Sequence, residues 1–464
     1  MTMYYERVRS FNRIAISVHG IDNRRISGNI NVDGRDFKLF FTYDEDIDID
    51  NSIAGLILTM PVINYAYFTK EIYLDFSIDR TSFDMIREFI KINNVETFIN
   101  SIVRRRYNFF TEAYLPSEND ITQKNAQGNT TVAAKSVTQL NTNWITDKQK
   151  TMILSSGGKE SLLSFGIMNE INSVTYPVFF NESGGHWKTA KVAYDYFRNN
   201  IENTHKVWSN VDRFYGFMNN SMNILNRNEI AKKADSYPIQ MFIFPVFIFS
   251  MLPYVKKYGI GNIILGDEFD DTVYETPYKG IKHYFGVYDQ TNDFNITISE
   301  YFKKIGIDSD VFSIVYPIFG TLVEKILVNR YPDLFKNQRS CHLCRYEGKT
   351  VKPCGECTKC LGILLFVLNA GGNPEDIGYS RKNVTDLKAN IEKANMRLDP
   401  SELSYLEQKV FEKKNLETHV EGIHILDGEK VPFSLVPDMY RSRIENILRA
   451  YSNGYYRLEN GKWT

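Results

Sequence analysis

The chain has no cysteine before position 341; all five of its cysteines fall between Cys341 and Cys360. That excludes a set of disulfides spread along the chain to staple a secreted fold, and a cluster this tight points to metal instead. A long apolar run is also missing. The most apolar stretch, Met241 to Leu252, carries Pro245 and falls short of the ~20 residues needed to cross a bilayer, so it reads as a buried helix or strand. The first ten residues, Met1 to Ser10, have no apolar core, so no signal peptide is expected. Net charge is nearly absent: 55 Lys plus Arg balance 56 Asp plus Glu to give −1, which speaks against a nucleic-acid partner. Internal repeats are missing too. These absences together predict a soluble, cytoplasmic protein with no membrane partner; they do not bear on oligomeric state.

What is present is long enough for two or three domains, with 464 residues of which 43% are hydrophobic. Residues 1–115 read as a β-rich α+β domain. Phe11 to His19, Ile26 to Val32 and Phe37 to Tyr43 are strand candidates, and Asp33-Gly34 is a hairpin signal. The acidic run Asp44-Glu45-Asp46, with Asp48 and Asp50, reads as a solvated loop, with a cation site as the sharper alternative. Residues 52–69 suggest a buried helix interrupted near Pro61. Lys70 to Ile78 reads as a strand, and Thr81 to Arg106 has helical periodicity. Residues 116–150, rich in Ser, Thr, Asn and Gln, read as a polar linker. From 151 to 370 strands and helices alternate, with strands at Met152 to Leu154, Ser173 to Phe180 and Asn262 to Leu265. The rhythm predicts a parallel sheet with ligands at the carboxyl ends of its strands. Residues 371–464 read as mostly helical, with Asp399-Pro400-Ser401-Glu402 as a helix start.

The sharpest motif is Ile153-Leu-Ser-Ser-Gly-Gly-Lys-Glu-Ser161. A phosphate loop needs a strand, then a glycine-rich turn whose backbone N–H groups can reach an anion. A helix must follow at once, with its positive end on the phosphates. Met152 to Ser161 supplies these in order. The P-loop pattern Gly-x-x-x-x-Gly-Lys-Ser/Thr fails, since Ile stands at 153 and Glu160 follows Lys159; the dinucleotide pattern Gly-x-Gly-x-x-Gly is absent. The bland alternative is an ordinary Gly-Gly turn between a strand and a helix. In the cysteine cluster, Cys344, Cys354, Cys357 and Cys360 form a ligand set for structural zinc, with Cys341 as the alternative to Cys344 and His342 as a less favoured fourth ligand. An iron–sulfur centre is the competing reading.

The segment Ser156-Gly-Gly-Lys-Glu-Ser161 resembles Ser-Gly-Gly-x-Asp-Ser, the signature of the ATP-pyrophosphatase (PP-loop) superfamily. Ser156, Gly157, Gly158, Lys159 and Ser161 match, and Glu160 stands where that superfamily has Asp. The resemblance implies an α/β fold of the adenine nucleotide alpha hydrolase-like kind, with Mg²⁺-ATP bound at Ser156 to Ser161 and cleaved to AMP and pyrophosphate. Two families pair such a loop with a cysteine cluster of this form. In layout the chain resembles the ATP-dependent UDP-N-acetylmuramoyl-L-alanyl-L-glutamate epimerases of peptidoglycan and cell wall biogenesis, over roughly residues 150–370. More distantly it resembles the 7-cyano-7-deazaguanine synthases, which are ligases. Both imply adenylation of a small-molecule carboxylate. In an epimerase this removes the charge that opposes loss of the neighbouring Cα proton, and a base and an acid then exchange it. Lys159, Asp267, Glu268 and His283 are the candidates for the chemistry, and Asp270, Asp271, Glu182, Gly184, Gly185, His186 and Asp289 are further candidates for lining the pocket. A tRNA-thiolating enzyme and a nucleotide-binding module without turnover are the remaining alternatives.

Overall fold

A computed structural model describes the chain except for residues 1–2, 106–108, 140–141, 185, 232–238, 240–241, 270–277, 285–287, 342, 349, 397, 412–417, 426–430 and 460–461. Asp270, Asp271, Gly185 and His342 therefore lie outside the described residues.

The N-terminal strands form where apolar residues alternate. They are β1 (Phe11–Asp22), β2 (Arg25–Val32) and β3 (Arg35–Tyr43). In β2, every second residue from Ile26 to Val32 is buried, the signature of a strand with one face on a core. Asp33 and Gly34 both have positive φ, 49° and 84°, as a tight two-residue hairpin between β2 and β3 requires. The Asp33 carboxylate also accepts from the backbone N–H groups of Asn12 and Arg13, which ties the turn to β1. Helix α1 (Asn51–Ile63) is capped by Asp50, whose side chain accepts from the Ile53 N–H at 2.9 Å. It contains Pro61 two residues from its end, so the helix stops just beyond the proline instead of breaking at it. Next come β4 (Thr69–Asp79) and α2 (Arg80–Glu96), which runs on into a π-helical turn at Thr97–Val103.

The stretch read as a linker carries a further strand, β5 (Thr131–Thr138), which pairs in parallel with β4. None of its side chains is fully buried, although Val132, Ala134 and Val137 pack against the core, so much of its place comes from backbone hydrogen bonds at a sheet edge. Composition does not register that kind of strand. The second half then supplies β6 (Asp147–Ser155), α3 (Lys159–Glu170), β7 (Val174–Asn181), α4 (His186–Asn200), β8 (His205–Ser209), α5 (Val211–Asn220), β9 (Ile260–Leu265), α6 (Asn292–Lys304), β10 (Asp310–Ser313), α7 (Gly320–Arg330), α8 (Thr358–Asn369), α9 (Pro400–Val410) and α10 (Asp438–Arg449). The apolar stretch near Met241 continues as two short helices, Phe244–Ser250 and Leu252–Tyr258.

All ten of these strands lie in one sheet, in the order β10-β9-β6-β7-β8-β3-β2-β1-β4-β5. The two halves of the chain meet where β3 pairs antiparallel with β8, through Phe41–Ser209, Thr42–Trp208 and Tyr43–Val207. The acidic run sits at this seam. Asp44 accepts from Tyr254 Oη and from the Lys206 N–H, Glu45 pairs with Lys257 and Tyr258, Asp46 with Arg24 and Asp48 with Lys256. Its charges are thus taken up in ion pairs and hydrogen bonds within the chain. One core covers each face. Met152, Val178 and Ile263 point into the face shared with the N-terminal half, and Ile153, Phe179 and Ile264 into the other, beneath α3, α4, α7 and α8.

From β6 to β10 the sheet is parallel. Its order reverses between β6, which leads rightward to β7 and β8, and β9, which leads to β10. That reversal is a topological switch point, the place where the loops leaving two adjacent strands part and open a crevice. No helix among the described residues is long and apolar enough to cross a membrane.

Candidate functional site

The loop after β6 and the loop after β9 face each other at this switch point, and a cavity of about 650 Å³ opens between them. This is within the ordinary size range for a small-molecule site. The first loop turns at Gly157, whose φ is +77°, a conformation a residue with a Cβ adopts only with strain. A Cβ there would also sit 3.0 Å from the Cβ of Ala193 on α4. Gly158 is the N-cap of α3, so the helix begins at the cavity wall with its first N–H groups toward the cavity. Ser155 Oγ accepts from the Gly157 N–H at 3.3 Å and lies 3.0 Å from Ser161 Oγ, which in turn donates to the Gly158 carbonyl at 3.2 Å. Replacing Gly157 with alanine should therefore cost about 1–2 kcal/mol in stability, which a melting curve measures.

Lys159 is only 4% exposed. Its Nζ lies 2.7 and 2.9 Å from the two carboxylate oxygens of Glu268, bonds to Glu160, and stands 5.0 Å from the ring centre of Phe366. Burial disfavours the ammonium, but the two carboxylates outweigh it and hold Lys159 above the ordinary lysine range. Two carboxylates share one ammonium here. Burial pushes Glu268 up to about 8, with Lys159 opposing, whereas Lys159 overcomes burial at Glu160 and holds that carboxyl low. Two more buried carboxyls stand behind them. Glu324 accepts from Gln338 Nε2 at 2.9 Å, and burial raises it to about 7. Glu402, raised by burial to about 7, accepts from the N–H and Oγ1 of Thr321 at 2.7 and 2.8 Å. The expected start of α9 holds, with the Asp399 carboxylate accepting from the Ser401 and Glu402 N–H groups. Glu402, however, spends its carboxylate on the first turn of α7 and does not close a box on its own helix.

Of the four residues assigned to chemistry, Lys159 and Glu268 line the cavity. Asp267 and His283 are not among the residues that line it. Asp267 follows β9 on the opposite side of the chain from Glu268, where its carboxylate accepts from Asn295 Nδ2 at 3.0 Å. The His283 side chain is buried with Nδ1 2.7 Å from the Tyr284 carbonyl. Asp289 accepts from the N–H groups of Ile243 and Phe244, at the start of the Phe244–Ser250 helix. Glu182 and His186 do line the cavity. Sequence reasoning missed Arg339, Lys359 and Phe366, and also an apolar wall made by Val178, Phe180, Phe244, Phe247 and Met251. The run from Met241 was read only as core, so the signal for that wall was present but ambiguous.

Four of the five cysteines form a group that could hold a metal ion. The sulfurs of Cys341, Cys354, Cys357 and Cys360 all lie within 4.8 Å of one another. Cys341 takes the place preferred for Cys344, whose buried thiol is outside the group. Cys354 and Cys360 sulfurs are 3.7 Å apart, close to the ~3.8 Å edge of a tetrahedron with metal–sulfur bonds of about 2.3 Å. The N–H groups of Cys354 and Cys357 donate to Cys341 and Cys354 sulfurs at 3.3 and 3.4 Å, which favours thiolates. This donor set fits a single metal ion. It also borders the cavity. The Arg339 N–H donates to the Gly157 carbonyl at 3.1 Å, and Cys357 is the N-cap of α8, which carries Lys359 and Phe366 to the cavity wall.

Compared with known proteins, the chain matches no family model and no curated protein.

Proposed function

We propose that the chain binds Mg²⁺-ATP in this cavity and cleaves it to AMP and pyrophosphate, activating a carboxylate by adenylation. One observation carries the reading. The turn Ser156–Gly158, the positive end of α3 and the buried Lys159 converge on a cavity at the switch point of a parallel sheet. Backbone N–H groups at a helix start take phosphate oxygens, and a desolvated ammonium stabilises charge that develops between phosphates. Glu160 and Glu268 would repel an unaccompanied polyphosphate. They are suited to hold Mg²⁺, which with few protein carboxylates neutralises phosphate charge when bound. Zinc at the four cysteines is the structural metal this reading expects.

The epimerase outcome, on a substrate like a UDP-linked muramoyl dipeptide, needs a base and an acid on opposite faces of Cα. With Asp267 and His283 away from the cavity, that outcome rests on the resemblance alone, as does the deazaguanine-type ligase. The deciding experiment supplies ATP, Mg²⁺ and a panel of carboxylates, UDP-muramoyl dipeptides included, and follows AMP, pyrophosphate and deuterium uptake from solvent. Substrate-stimulated pyrophosphate is the expected result. Deuterium in recovered substrate marks the epimerase, and its absence with amine-dependent AMP release marks the ligase. Tight ATP binding without pyrophosphate from any substrate would leave only a nucleotide-binding module.

A further inference from the structure

We infer that the same cavity holds a second subsite, at the carboxyl end of β7, which takes an ammonium group with Glu182 as its counter-charge. The residue is 4% exposed, yet it lines the cavity, and its Oε1 has no hydrogen-bond partner. The nearest basic atom is His186 Nε2, 3.8 Å away and beyond hydrogen-bond reach. Burial, reinforced by Lys359, holds that imidazole neutral, lowered to about 4, so it brings no positive charge. A second carboxyl adds to the excess: Asp212, whose own ionisation burial also disfavours, acts on Glu182 and helps push it up to about 8. Among the described residues no lysine or arginine pairs with either carboxyl.

A buried carboxyl without a cation is costly unless protonated or met by a ligand. The walls beside it indicate the rest of that ligand. Phe180, Phe244, Phe247 and Met251 present rings and a thioether to the cavity, surfaces suited to an apolar or aromatic body. The phosphate loop lies across the same cavity. Taken with the proposed ATP site, on which this second step rests, the acceptor is an amine-bearing carboxylic acid with an apolar body, its ammonium at Glu182 and its carboxylate toward the loop. The same chemistry would also seat free ammonium as a co-substrate.

Matched probes separate these cases. L-phenylalanine and 3-phenylpropanoate differ by the ammonium alone, and so, without a carboxylate, do 2-phenylethylamine and 2-phenylethanol when cation is compared with neutral isostere. Calorimetric titration of the intact chain should show the amine of each pair binding about tenfold or more tightly, as a charged hydrogen bond of ~1.5–3 kcal/mol implies. Because Glu182 holds its proton in the empty cavity and an ammonium favours the carboxylate, binding should release a proton, seen as a heat that depends on the buffer. Glu182→Gln should abolish both the preference and the release, leaving the neutral probes unchanged, and Asp212→Asn should reduce them in part. Equal binding within each pair, a preference that survives Glu182→Gln, or no binding of either amine at millimolar concentration would overturn the inference. Recovery of the affinity when ammonium chloride accompanies 3-phenylpropanoate would place the ammonium on a co-substrate. Amine preference in a chain that fails to bind ATP would retain the subsite and remove the ATP reading, and ATP binding without amine preference would do the reverse.

Discussion

On the proposed chemistry, Lys159→Met should reduce pyrophosphate release at least about 10²-fold, the scale on which removal of one preorganised charge-stabilising donor acts. The thermal stability of the variant should carry a specific signature. Methionine retains the apolar stem against Phe366 but leaves the partly buried Glu160 and Glu268 without their ammonium, a loss of at most about 3–5 kcal/mol when both would be charged. Both carboxyls then hold protons more tightly in the folded than in the unfolded chain. A group whose folded pKa is raised favours the folded state at low pH, and that support is lost as pH rises from the unfolded carboxyl value toward the folded one. Glu268 already stands at about 8 with Lys159 present, so below that pH it weighs on both proteins alike, and the difference comes from Glu160, which Lys159 holds low in the wild type. The gap in melting temperature between wild type and variant should therefore be small near pH 5 and widen up to pH 8. Adding Glu268→Gln should restore part of the stability and none of the activity. A gap that does not change with pH would mean that the two carboxylates are not held by Lys159 as described. Glu160→Asp, which shortens the side chain by one methylene, should keep or raise activity, since the carboxylate stays beside the lysine.

What could be read from the sequence depended on how far apart the cooperating residues stand. Met152 to Ser161 are consecutive, so their order already contained the strand, turn and helix that build the loop. Glu268 could be picked out because it follows a buried strand, and it does reach Lys159 across 109 positions. Asp267 satisfied the same criterion and turned the other way, because successive residues leaving a strand face opposite sides. Nothing local distinguishes them. β5 was invisible for a different reason: an edge strand needs backbone partners more than large apolar side chains, and Thr131 to Thr138 offers only valines and alanines among polar neighbours. The same holds for Glu402, whose position promised a cap on its own helix but whose carboxylate caps α7. The single ten-stranded sheet was also hidden, because it depends on three residue pairs between β3 and β8 that lie more than 160 positions apart.

The cysteine centre makes the second large effect testable, and it discriminates between two residues three positions apart. Cys341→Ser should lose the bound metal, whereas Cys344→Ser should keep it at one ion per chain, as read by metal analysis of the purified proteins. Sequence alone places Cys344 in the set, with Cys341 as its alternative. The fold reverses the choice. Arg339 is bonded to the Gly157 carbonyl, which brings Cys341 in beside Cys354, and the Cys354 N–H then donates to its sulfur. Loss of a structural metal removes a binding free energy that in small zinc domains reaches about 10–16 kcal/mol; within this larger core only part of it should appear as lost stability. The consequence should reach the cavity, since the centre anchors both the segment touching the loop after β6 and the start of α8 with Lys359 and Phe366. Cys341→Ser should therefore weaken the proposed ATP binding as well as melt at lower temperature, and chelation of the wild type should reproduce both changes. Metal lost from Cys344→Ser and retained in Cys341→Ser would reverse the ligand assignment. Two irons or more per chain would replace the single ion with a cluster, whose thiolates bind different irons and would have to stand farther apart than 4.8 Å.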